Sequence, residues 1–254
     1  IQQIVYNDNS DLFAVSFFTP QAEYAYKIAQ KLRANGKTVI AGGIHPTVMP
    51  EEAANYFDSV CVGEGENVWL EILKDAVNKN LKKFYYGGSP DLNNIPIPDR
   101  SIITDKNGYD WTAKLIQVIR GCANSCENCI LPIEYGNKYR FRSIENVLKE
   151  VASFKTKEFY IIDDSIVLNN SECNDYLEKL MKAFSQLDEK PRIFISGSLN
   201  MSVNAKYLKS LYDGGVVSIY MVLGCDLIST GAFRKNGKRF FDWGIDIVKK
   251  IQDA

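Results

Sequence analysis

Three cysteines in the spacing Cys-x-x-x-Cys-x-x-Cys stand at Cys122, Cys126 and Cys129. They lie on a glycine-led loop after the apolar run Leu115, Ile116, Val118 and Ile119. Three thiolates this close can face one metal centre, so the fold must present a strand that ends at this loop. A structural zinc site takes four protein ligands. Outside the triplet the chain offers Cys173, far along the sequence, and His45, its one histidine. A ferredoxin-type electron-transfer cluster also takes a fourth cysteine. A disulfide leaves one of the three thiols over, and nothing points to an oxidising compartment. A four-iron cluster on three thiolates keeps one iron open to a further ligand. The spacing favours this arrangement over zinc, disulfide or packing, and the residues alone carry the reading as far as a cluster with an open iron.

The rest of the chain alternates strand and helix, which defines an α/β fold with parallel sheets. Leu12 to Phe18 reads as a buried strand, and Thr19-Pro20 as the start of a helix with Ala25, Ile28, Ala29 and Leu32 on one face, closed by Gly36. Thr38 to Ala41 and Ser59 to Val62 are the next strands, with a short helix around Glu51 to Tyr56 between them. A further helix is expected to turn Trp69, Leu70, Leu73 and Val77 inward. Ligands of such sheets bind at the carboxyl ends of the strands. Those ends carry Ser16, Gly42-Gly43 and Gly63, where glycine lets a ligand approach the backbone. A doubly wound domain usually needs ~100–150 residues, so residues 1–88 are expected to be an incomplete one, short at its N-terminal side. The proline-rich stretch 89–111 is a linker.

Residues 112–254 hold a second series. Strands are expected at Leu115 to Ile119, Phe159 to Ile162, Arg192 to Ile195 and Val216 to Leu223. Helices are expected after Ser143, Ser171 and Asn204, with a last one from about Arg239 to Ile251. Four strand–helix units in series make part of a (βα) barrel, with function at the strand C-terminal ends. Those ends carry the cysteine loop, Asp163-Asp164, Ser196 to Asn200 and Cys225-Asp226. Each of the two aspartates is equally readable as a helix-cap or turn carboxylate. Cys61 and Cys173 read as packing residues.

A formal charge of −1 argues against a broad nucleic-acid-binding face. No apolar run approaches the ~18 residues of a membrane span. With no signal peptide in view and three of six cysteines clustered, a reducing cytoplasm is the expected location.

The stretch Arg120-Gly121-Cys122-x-x-x-Cys126-x-x-Cys129, followed by Tyr139-Arg140-Phe141-Arg142-Ser143, resembles the radical S-adenosylmethionine superfamily. Gly42-Gly43-Ile44-His45-Pro46-Thr47, Pro50-Glu51-Glu52 and Val62-Gly63-Glu64-Gly65-Glu66 resemble the branch with an N-terminal cobalamin-binding domain, as does the linker phrase Pro96-Ile97-Pro98-Asp99-Arg100. The resemblance implies a Rossmann-like cobalamin-binding domain, then a partial barrel of the radical type, both truncated; four of the six units of the latter are present. It implies a [4Fe-4S] cluster on Cys122, Cys126 and Cys129. It implies S-adenosylmethionine bound near Asp163, Asp164, Ser196 and Asp226, with one of the paired aspartates on its ammonium.

The resemblance further implies cobalamin on Ser16, Gly42, Gly43, His45, Gly63, Glu64 and Gly65. Ser16-Phe17-Phe18 and Gly42-Gly43 follow the order in which such domains hold the nucleotide tail, with Phe18 in place of leucine. The cobalt-ligating histidine of the cobalamin motif lies on an earlier loop, so a hydrogen-bonding role suits His45 better than cobalt ligation. The implied activity is methyl transfer to an unactivated carbon through a 5′-deoxyadenosyl radical and methylcobalamin. The same architecture supports cyclisation or rearrangement, and a non-catalytic cobalamin or iron–sulfur module is the alternative of another class. A small-molecule or peptide substrate and an external electron donor such as flavodoxin or ferredoxin are the expected partners. Methylthiotransferases are similar but carry a second three-cysteine cluster in the N-terminal domain, where this chain has Cys61 alone.

Overall fold

The computed structural model describes residues 9–100, 114–123, 129–154, 156–164, 171–197 and 205–221, with short pieces at 234–235, 238–239, 245 and 248–252. The chain divides into two compact units, Ile1–Ile95 with Ile133–Tyr135, and Pro96–Pro132 with Gly136–Ala254.

The first unit is a parallel sheet in the order β1 (Leu12–Ser16), β2 (Thr38–Gly42), β3 (Ser59–Val62), β4 (Phe84–Tyr86). Short strands of Val, Ile, Ala and Cys with no polar alternation are what two covered faces require. Val39, Ala41 and Val60 turn to one face, where Ala25, Tyr26, Ala29 and Leu32 of α1 (Ala22–Ala34) and Ala53 of α3 (Pro50–Ala53) bury them. Ile40, Cys61 and Tyr85 turn to the other and meet Ile72 of α4 (Trp69–Val77).

Three local expectations change here. Thr19-Pro20 opens a single 3-10 turn, Thr19–Gln21, and α1 begins after it. Two short helices, α2 (Ile44–Val48) and α3, replace the one expected near Glu51, because Pro50 has no amide to continue α2 and starts α3 at its first turn. On α4 the buried residue is Ile72, while Leu70 and Val77 are 79% and 83% exposed. A helix of nine residues has one inward phase, and Ile72 holds it against Ile40 and Tyr85.

In the second unit the main sheet runs β5 (Lys114–Ile116), β8 (Glu158–Ile161), β9 (Arg192–Gly197), β10 (Val216–Met221), all parallel and in chain order from one edge. After the short helix α5 (Leu131–Tyr135) come the sheet's helices α6 (Ile144–Ala152), α7 (Ser171–Ser185) and α8 (Ala205–Gly214). The Ser143 hydroxyl caps α6, accepting from the Asn146 amide at 3.2 Å. Ile116, Phe159, Ile161, Ile193, Ile195 and Val216 pack against Val147, Leu177, Leu180, Phe184 and Leu208 in one core. Cys173 is fully buried within it. The opposite face leaves Leu115, Tyr160, Ile162 and Tyr220 exposed, as the inner wall of a partial barrel does.

One strand was expected from Leu115 to Ile119. It is broken, and β6 (Ile119–Arg120) leaves the sheet to pair antiparallel with β7 (Arg140–Phe141). Near the C-terminus, Lys238–Arg239 form a strand paired with Arg234–Lys235 where a helix start was expected, and 248–252 are helical. Among the described residues, no helix is long and apolar enough to cross a membrane.

Candidate functional site

The second unit brings the carboxyl ends of its parallel strands to one edge of the sheet. The cysteine loop begins there. β6 delivers Gly121 and Cys122, and Cys122 is buried with its Sγ 3.9 Å from the Tyr139 hydroxyl at the start of β7. Burial, and then the Cys122 thiol, push the Tyr139 hydroxyl above its ordinary range. Cys129 is half-buried, and Cys126 lies outside the described residues.

What holds the loop is the segment before it. Asp163 is 4% exposed and accepts the Val118 amide at 2.8 Å on one oxygen and the Ile119 amide at 3.0 Å on the other. Those two amides are thereby taken out of the ladder, which is why the expected single strand breaks. The Arg142 side chain donates to the Gln117 carbonyl at 2.9 Å, and its amide donates to the Val118 carbonyl at 3.0 Å. Arg100 donates to the Leu115 carbonyl at 2.7 Å. Between the two guanidiniums lies Glu150 of α6, 1% exposed, paired with Arg142 at 2.6 Å and with Arg100. Arg100 also covers the Phe154 ring at 4.9 Å. An ion triad this buried depends on further hydrogen bonds, and the Leu115 and Gln117 carbonyls supply acceptors to its two guanidiniums.

The paired aspartates separate. Asp163 is spent on the backbone, while Asp164 lies at the exposed edge, where burial pushes its carboxyl up against the opposing pull of the Gly121 amide and the Arg120 charge. Ser196 is partly exposed near the end of β9, in register with Tyr220. Asp226 and Cys225 lie outside the described residues. The glutamate and the two arginines were missed from sequence. The signal was there for Glu150, which shares the inward phase of α6 with Val147 and Val151.

The first unit carries a separate feature. A cavity of about 170 Å³ opens at the strand ends marked by Ser16, Gly42 and Gly63, lined also by Gly43, Gly65, Cys61 and Trp69. Gly43 has φ +91°, and a Cβ there would lie 2.6 Å from the Ser16 hydroxyl and 2.9 Å from the Phe17 nitrogen. Close by, a Cβ on Gly87 would lie 1.5 Å from the Glu64 carbonyl oxygen, so the turn after β4 fits only without a side chain. The opening is small and largely apolar, with Ser16 as its polar side chain. Glu64 is buried.

His45 does not line this cavity. It is buried beneath α1, with Nε2 2.8 Å from the Tyr26 hydroxyl and Nδ1 3.1 Å from the Thr19 hydroxyl. Tyr26 donates to Glu52 at 2.9 Å. The Nε2–H of His45 therefore donates to Tyr26, and Nδ1 accepts from Thr19. Both ring nitrogens are engaged.

Residues 1–73 match the family model of the B12 binding domain. Bacteriochlorophyllide d C-8(2)-methyltransferase of Chlorobaculum tepidum is 29% identical over 99% of this chain, and the C-12(1)-methyltransferase of the same organism is 28% identical over 87%. Among solved structures, the radical S-adenosylmethionine methyltransferase TsrM from Kitasatospora setae, with cobalamin and a [4Fe-4S] cluster bound, superposes with a TM-score of 0.68. It is 15% identical, over 97% of this chain and 57% of its own.

The match to the B12 binding domain model lies in the first unit, and the likeness in fold to the solved structure extends over both units. The chain resembles the cobalamin-dependent radical S-adenosylmethionine enzymes throughout its length. It spans 58% and 47% of the two curated relatives, about half of each.

Proposed function

We propose that this chain forms the cofactor-carrying part of a cobalamin-dependent radical S-adenosylmethionine enzyme that methylates an unactivated carbon. The observation that carries the reading is the seating of Cys122. It stands at the carboxyl edge of a parallel sheet, directly after a segment pinned by Asp163, Arg142 and Arg100, and Cys126 and Cys129 follow at the cluster spacing. The two methyltransferase relatives support methyl transfer as the outcome.

Cys122, Cys126 and Cys129 would hold a [4Fe-4S] cluster through three irons. Asp164, exposed at the same edge, would accept from the ammonium of S-adenosylmethionine, with Ser196 and Asp226 as further contacts. The glycine-walled cavity of the first unit would admit the nucleotide tail of cobalamin past Ser16, Gly42, Gly43, Gly63 and Gly65, with Glu64 beside them in sequence. His45 would act indirectly, by bracing α2 against α1. When bound, these groups supply one-electron reduction, a hydrogen-abstracting radical and a transferable methyl group. The protein's own part is to bind and orient them. A small molecule or peptide as substrate, a flavodoxin or ferredoxin as electron donor, and a cytoplasmic setting belong to the same reading.

The test uses the full-length protein, reconstituted without oxygen in the presence of hydroxocobalamin, then given dithionite and S-adenosylmethionine. Cobalamin absorbance bands together with 5′-deoxyadenosine are the expected result, and Cys122→Ala should abolish the deoxyadenosine. Deoxyadenosine without bound cobalamin would overturn the reading of the first unit. No deoxyadenosine from wild type, with Cys122→Ala indistinguishable in iron content, would overturn the whole.

A further inference from the structure

We infer that Thr47 is a positioning residue that sets the gap between the two glycine corners of the first unit's cavity. This rests on the cobalamin reading above and adds to it a residue that touches none of the ligand. The β1–β2 ladder runs to the Ser16–Gly42 pair, and the β3–β4 ladder runs to the Val62–Tyr86 pair. The β2–β3 ladder stops earlier, at Ala41–Val60. Beyond that point β2 and β3 part, and the cavity opens in the space between Gly42-Gly43 and Gly63.

One side chain spans the gap. The Thr47 hydroxyl donates to the Gly43 carbonyl at 2.8 Å and accepts from the Gly63 amide at 2.9 Å. The other seam needs no such bridge. There the Phe17 amide donates to the Gly42 carbonyl and the His45 amide to the Phe17 carbonyl, each at 3.2 Å. Donating to one strand and accepting from the other at once requires a hydroxyl on a short side chain. Threonine in a helix commonly bonds back to the carbonyl four residues earlier. The second bond, to an amide on the next strand, turns that habit into a strut. Valine has the same shape and neither bond; serine keeps both.

Thr47→Val and Thr47→Ser are compared with wild type in the full chain, by hydroxocobalamin titration followed through its absorbance, and by amide hydrogen exchange of Gly63 without cobalamin. Thr47→Val is expected to weaken cobalamin binding about tenfold, the effect of one or two buried hydrogen bonds, and to speed Gly63 exchange. Thr47→Ser should restore both, and the thermal midpoints of all three should stay within a few degrees. Wild-type Gly63 exchange and affinity in Thr47→Val would overturn the inference. So would a serine variant as impaired as the valine one. If wild type binds no cobalamin, the functional reading fails, and Gly63 exchange still decides the role of Thr47: faster in valine and restored in serine upholds the strut, unchanged in both refutes it.

Discussion

Asp163 sits in an environment far from water. Burial pushes its carboxyl up to about 8, outweighing the Val118 and Ile119 amides that favour the charged form. An unfolded aspartate titrates near about 3.9, so between the two values the folded protein holds a proton that the unfolded chain has lost. The stability from this group is therefore complete below about pH 4 and is lost as pH rises through about 8. Asp163→Asn stays neutral throughout and has one acceptor oxygen for two amides. It should cost about 1–3 kcal/mol at pH 5 and flatten the decline between pH 5 and 8, as thermal melts at both values would show. Glu150 is the second such residue. Glu150→Ala leaves two buried guanidiniums facing each other and should cost about 3–5 kcal/mol by urea titration. On the same helix, Lys149 pairs with Glu145 in solvent, and Lys149→Ala should change stability by about 0.5 kcal/mol or less.

Helix α4 shows how an element's facing is chosen. Its sequence Trp-Leu-Glu-Ile-Leu-Lys-Asp-Ala-Val offers apolar residues at several phases. Ile72 is fully buried, and Leu70, two positions earlier, points to solvent. Ile72→Ala should destabilise by about 2–5 kcal/mol. Leu70→Ala should lie within about 0.5 kcal/mol of wild type; equal losses in a denaturant titration would mean the facing is wrong. Helices α6 and α7 were plainer to read, because each carries one apolar stripe bounded by charge. The ribbon of β6 and β7 was not visible at all. Two residues per strand carry no periodicity, and its existence depends on Asp163 pulling two amides away from the main sheet.

At the level of the whole chain, two series of strand and helix separated by prolines were legible in the sequence, because apolar periodicity and glycine at strand ends are local signals. So was the cysteine spacing. Glycine and serine at the mouths of the first sheet were likewise readable, since strand ends and ligand mouths coincide in parallel sheets. Long-range partners were another matter. Asp163 and Asp164 are neighbours with the same side chain, yet one is buried on two amides and the other faces solvent beside Gly121. Arg100, Arg142 and Glu150 meet from three separate stretches of chain. Thr47 finds an amide sixteen residues away on another strand. Each of these depends on where the chain returns in space, and burial then decides which polar group must find a partner. Local pattern carries the elements and the kind of chemistry; the division of labour among identical side chains exists only once those elements have packed.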